Sequence, residues 1–79
     1  MEATLTLNYD RDADILYINT RPPYTEQETE ELGDDVIARL NPKTGVIENL
    51  EVLFFSTRLL RSAMLKLPVT ADLRHALAK

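Results

Sequence analysis

The sequence predicts an α+β fold, an antiparallel β-meander of four or five strands followed by two short C-terminal helices. Three observations carry this. Thr4-Leu5-Thr6-Leu7-Asn8-Tyr9 alternates strictly between polar and apolar residues, the period of a strand with one buried face. Asn41-Pro42-Lys43-Thr44-Gly45 is a turn between two β-rich runs, because Pro42 presets the first corner and Gly45 supplies positive φ at the exit. After Ser56 the apolar spacing changes from two to three and four, the period of a helix.

Taken in order, the first strand turns Leu5, Leu7 and Tyr9 inward. Asp10 to Asp14 follows as a polar turn, since aspartates bond their own backbone two residues on and tolerate left-handed geometry. Ile15-Leu16-Tyr17-Ile18 is β-branched and aromatic, apolar on both faces, and reads as a central strand. Pro22-Pro23 removes two backbone donors and ends it. Glu26 to Leu32 fits an exposed edge strand, where glutamates on one face stay solvated and discourage pairing with another chain. Gly33-Asp34 turns the chain back. Val36 to Leu40 is a further strand, and Val46 to Phe55 is the last, ending in Val52-Leu53-Phe54-Phe55. Ser56 suits the N-cap of a first helix. In that helix Leu59, Leu60, Ala63, Met64 and Leu67 form one stripe, with Arg58, Arg61, Ser62 and Lys66 opposite, and Pro68 ends it. Thr70 suits the cap of a second, in which Leu73, Ala76 and Leu77 share a face while Asp72 sits early and Lys79 late, as the helix dipole favours.

The 79 residues make one domain, 1–79, with a β part over 1–55 and a helical segment over 56–79. A core of this size supplies at most about 3–5 kcal/mol. There is no cysteine, so neither disulfides nor thiolate chemistry can supplement it. No signal-peptide pattern and no membrane-length apolar run is present, so a cytoplasmic protein without membrane contact is expected. Residues 1–56 hold twelve of the thirteen acids against four bases, a balance of −8, and residues 57–79 hold five bases against Asp72, a balance of +4. An acidic body with a basic tail can pair with itself, within one chain or between copies. Nucleic acid is not expected, because the acidic body repels phosphates.

Little points to chemistry. Asp10, Asp12 and Asp14 mimic the first three ligands of a calcium loop, but such a loop needs glycine at its sixth position and glutamate at its twelfth, where this chain has Ile15 and Arg21. His75 is the only imidazole, and Ser56 and Ser62 are the only serines. Asp72 and His75 stand three apart, which on a helix lets them touch. With two glycines in the chain there is no nucleophile elbow. Glu26, Glu28, Glu30 and Glu31 would need a pocket to raise one pKa before they could share acid–base work. Phosphate loops, zinc spacings and dinucleotide fingerprints are absent. No catalytic residue, cofactor or metal site is therefore expected.

The run Tyr9-Asp10-Arg11-Asp12-Ala13-Asp14-Ile15-Leu16-Tyr17-Ile18 resembles the opening "Y-D-x-x-A-D-x-L-Y-I" of a small bacterial and archaeal family, domain-of-unknown-function family 2283. Glu30-Glu31 before Asp34-Asp35-Val36-Ile37 is similar to its "D-G-V-I-V" region. Gly45-Val46-Ile47-Glu48-Asn49-Leu50-Glu51-Val52-Leu53 is similar to its "G-x-I-V-G-I-E-I-L", and Ser56-Thr57-Arg58-Leu59 to its "S-K-R-L" ending. Asp35 and Asn49 stand where that family has glycine. The resemblance covers roughly residues 5–60. It implies a compact β-meander closed by a helix, with no established activity. Some relatives lie beside small toxin-like proteins, which implies an antitoxin-like role as the sharpest version.

The expectation is thus a non-enzymatic protein-interaction domain. Strands 15–18 and 52–55 are apolar on both faces, and the first helix can cover one face only, so the second helix or another copy must cover the other. A homodimer is expected, with Arg58, Leu59, Leu60, Arg61, Met64, Leu67, Leu73 and Leu77 as interface residues, and a small toxin-like protein as a further partner. The alternative is a small ligand-binding or catalytic domain whose site carries no motif.

Overall fold

Turn chemistry positions the strands in the structure, a computed structural model that describes residues 4–77. The elements are β1 (Thr6–Asp10), β2 (Ile15–Asn19), β3 (Glu28–Gly33), β4 (Val36–Leu40), β5 (Ile47–Leu53) and α1 (Phe55–Arg61). Between β1 and β2 the Asp10 carboxylate accepts the N–H groups of Asp12 and Ala13 at 3.0 and 3.2 Å, and Asp14 enters β2 with φ 57°. Between β3 and β4, Asp34 and Asp35 are the two central residues of a hairpin turn, with φ 52° and 59°. Positive φ at both matches the strands' right-handed twist, and aspartate tolerates it. Between β4 and β5 the Asn41 side chain accepts from Lys43 and Thr44, and Gly45 closes the turn at φ 76°.

The five strands form one antiparallel sheet in the order β1-β2-β5-β4-β3. The antiparallel α+β class is as expected, and β3 is indeed an edge. The meander holds in two blocks, β1-β2 and β3-β4-β5, which join through β2 and β5. After Asn19 the chain does not turn back beside β2 but crosses to the far edge. The reason is that β2, apolar on both faces, gains most from neighbours on both sides, whereas glutamate-rich β3 is tolerated only where one side meets water.

Paired residues share a face, so the register names the rows. Leu7, Ile18, Leu50, Ala38 and Glu30 form one row across the sheet, and Tyr9, Leu16, Val52 and Val36 form its neighbour. On this face Val36, Ala38, Leu50 and Val52 are buried, with Ile18, Leu32, Leu40, Ile47, Leu67 and Val69 packed around Val36, Ala38 and Leu50. Leu5, Leu7 and Tyr9 belong to the same face by alternation, yet remain exposed at 46%, 61% and 39%. Their face is as expected but their burial is not, even though the Phe55 ring reaches Tyr9.

The C-terminal segment departs most from expectation. β5 ends at Leu53, and Phe54 adopts φ 55°, which swings the chain into α1. Phe54 is therefore neither in a strand nor buried. Ser56 does not occupy the N-cap position but lies inside α1, which has no side-chain cap of its own. The helix stops at Arg61, because Ser62 is extended at φ −154° and carries Leu67 and Val69 onto the core. The two helices are thus one. Residues 62–77 hold no helix, and residues 78 and 79 of the expected second one lie outside the described residues. A stretch this short persists as a helix only when its apolar face packs, and Leu73 and Leu77 are 77% and 75% exposed.

Candidate functional site

Three groups of side chains stand out, two built by the sheet and one by the tail. The first centres on Asp14. Its backbone carbonyl accepts the Phe55 N–H at 3.1 Å. One carboxylate oxygen accepts the Tyr9 hydroxyl at 2.6 Å and the Ser56 N–H at 3.0 Å, and the other accepts the Ser56 hydroxyl at 2.8 Å. Asp14 thus serves as the N-terminal cap that α1 lacks locally, supplied from 42 residues away. The Tyr9 ring also lies 5.6 Å from that of Phe55. Hydrogen bonds from Tyr9 and then Ser56 hold the Asp14 carboxyl below its ordinary pKa, and the same contact raises that of Tyr9. A carboxylate kept ionised in this way is a weaker base than usual, so its chemistry here is that of an anchor. Of the three aspartates that mimic a calcium loop, Asp14 spends both carboxylate oxygens on the chain itself and Asp10 spends one.

The second group sits at the other end of the sheet. Arg39 pairs with Asn49 and the next residue, Leu40, with Ile47, so Glu48 is an extra residue in β5. This bulge lets Glu48 and Asn49 meet the same partners. Gln27 donates to Glu48 at 3.0 Å and to Asn49 at 2.7 Å, and Tyr24 donates its hydroxyl to Glu48 at 2.7 Å. Asn49 donates to the Asn19 side chain at 2.8 Å and to the Arg21 carbonyl at 2.6 Å. Asn41 donates to Glu48 at 3.3 Å, the Arg21 guanidinium lies 3.7 Å from it, and that guanidinium stacks over the Tyr24 ring at 4.4 Å. Gln27 and Tyr24 hold Glu48 below its ordinary pKa, and Tyr24 is raised in turn. Asn49 is buried, and among the described residues no buried side-chain nitrogen or oxygen lacks a partner. The cluster pins residues 20–27, the crossover between β2 and β3, onto β5. Further along that face Arg39 pairs with Glu51 at 2.8 Å, beside half-buried Ile15, Tyr17, Ile37 and Leu53.

The third group is the expected interface. Leu59, Leu60, Met64, Leu73 and Leu77 are exposed by 48–89%, and Arg61 is exposed with them. Leu67 is not available, since it packs on the core, and Arg58 is half-buried with its guanidinium donating to the Asp34 carbonyl. Arg58, Arg61, Met64 and Lys66 line an open cleft of ≈ 620 Å³ with Asp34, Asp35 and Phe54. These side chains do not form one helical stripe, because the chain is extended beyond Arg61. His75 is exposed, and the described partner of Asp72 is Arg74, at 2.8 Å, since without a helix Asp72 and His75 lose their three-residue spacing on one face.

The residues that sequence reasoning overlooked, Tyr9 with Asp14 and Ser56, and Gln27 with Glu48 and Asn49, did leave a trace. Glu48 and Asn49 are two successive polar residues in a strand whose one other polar residue is Glu51, and Tyr9 and Ser56 open the first and the last of the blocks that resemble the family. No helix among the described residues is long and apolar enough to cross a membrane. Comparison with curated proteins and with solved structures gives no significant match. The model of the family described as "Protein of unknown function (DUF2283)" matches residues 7–56, from β1 to the Ser56 contact with Asp14, and the chain belongs to that family.

Proposed function

We propose that this domain is a non-enzymatic docking module whose working surface is the apolar and basic strip beyond Phe55. The observation that carries the reading is the exposure of Leu59, Leu60, Met64, Leu73 and Leu77 where, among the described residues, the buried apolar core is Val36, Ala38, Leu50 and Val52. Large apolar side chains left in water beside Arg58, Arg61 and Lys66 favour a partner that is apolar with an acidic rim. A second copy offers such a rim in its own acidic body, and a small toxin-like protein is the sharpest heterotypic version. The polar groups of the sheet support the reading from the other side, for Asp14 and Glu48 are both held ionised by bonds that serve the fold.

The test is co-expression with the product of the adjacent reading frame, comparing the wild type with a Leu60→Lys, Met64→Lys variant. A stoichiometric complex with a small protein, lost in the variant while the circular dichroism is unchanged, supports docking through the tail. A small molecule retained through purification by both forms, with no protein partner, overturns it.

A further inference from the structure

The two edges of the sheet are built in opposite ways. β3 carries Glu28, Glu30 and Glu31 and a register shift between Glu31 and Gly33, both of which obstruct addition of another strand. β1 has no such guard. From Thr4 to Tyr9 no residue is charged, and no described strand pairs with its outer side. Along it Leu5, Leu7 and Tyr9 lie on the core face but remain exposed.

We propose that β1 is a self-association seam, at which two copies of this chain pair antiparallel to form one continuous ten-stranded sheet. Charge selects the occupant. Pairing β3 with itself would set glutamate against glutamate, whereas pairing β1 with itself opposes no like charges. Symmetry then selects the faces. A two-fold axis normal to the sheet keeps every side chain on its own face, so Leu5, Leu7 and Tyr9 of both copies adjoin. The row Leu7–Ile18–Leu50–Ala38 then continues across the seam without a polar break. This goes beyond the docking strip, because it uses a different surface.

The absence of cysteine supplies a clean experiment. Directly opposed residues of antiparallel strands have Cα atoms about 4.5–5.5 Å apart, within the range that a disulfide spans. With Leu7 on the two-fold axis and so opposite its own copy, the single variant Leu7→Cys should oxidise to a covalent dimer much faster than Thr29→Cys on β3. In light scattering the full chain should have twice the monomer mass. Leu7→Lys should halve it with the fold retained, while Leu60→Lys, Met64→Lys leaves it doubled. A wild type that is monomeric at high micromolar concentration overturns the seam, as does equal cross-linking at Thr29. Loss of the dimer only in the tail variant overturns it too, and assigns self-association to the docking strip instead.

Discussion

Phe54 is a phenylalanine in left-handed geometry, at φ 55°, with its side chain 55% exposed. For an L-residue that geometry costs about 1–2 kcal/mol, which glycine escapes, less about 0.5–1 kcal/mol for the larger backbone entropy that glycine loses on folding. Phe54→Gly should therefore stabilise the chain by up to about 1 kcal/mol, seen as a higher midpoint in urea at unchanged slope. Asn49 presents the opposite case. It is 2% exposed and joins Gln27, Asn19 and the Arg21 carbonyl. Asn49→Ala would leave those groups short of partners, at a cost of about 1–3 kcal/mol in the same measurement. The two roles differ in how far they were legible beforehand. Asp10, Asn41 and Gly45 act on residues two to four positions away, so their turns follow from local chemistry. Asp14 acts on Ser56, and no local rule connects them. Ser56 before an apolar run has the look of an N-cap, and the structure keeps its polar contact but reverses its role.

Strands were legible where both faces are apolar or where charge excludes burial, as in β2 and β3. Their order was not. The pairing of β2 with β5 joins residues 30 to 38 positions apart, and depends on which strand gains most by being flanked. The crossover that results is held by the bulge at Glu48, which replaces a regular ladder position with two adjacent polar side chains. The tail was misread for a related reason. Helical spacing after Ser56 is real, but a helix persists only if its stripe finds a surface, and here the core takes Leu67 and Val69 from an extended chain. Truncation after Thr70 should accordingly leave the melting temperature nearly unchanged. Truncation after Pro68 removes Val69 and should lower stability by about 1 kcal/mol, within the range for partly burying one aliphatic side chain. A helical signal in chemical shifts for residues 70–77 would contradict this account of the tail.

Two carboxylates and two phenols couple the whole molecule to pH. Asp14 and Glu48 are lowered from ordinary values of 3.8 and 4.5, so the stability they lend is complete above those values and is lost as pH falls through their lower folded values. Tyr9 and Tyr24 are raised above 10.0, so the stability tied to their protonated forms is complete below that value and is lost as pH rises through their higher folded values. Melting temperature against pH should form a plateau that begins just above 4.5 and ends near 10.0. Asp14→Asn should flatten the acid limb, and a limb unchanged in that variant would place its origin elsewhere.

The bond between Asp14 and Ser56 has a kinetic corollary. A seven-residue helix is too short to persist alone in water, and its cap is brought up only when the turn before β2 stands beside the end of β5. Helix α1 should thus be among the last elements to form and the first to release. A Ser56→Ala variant would then unfold faster while refolding at the wild-type rate, and the amide of Arg58 would exchange with solvent long before those of β5 do. Because Leu67 and Val69 hold the following segment on the core, each such release would loosen Leu59 and Leu60 without unfolding the sheet.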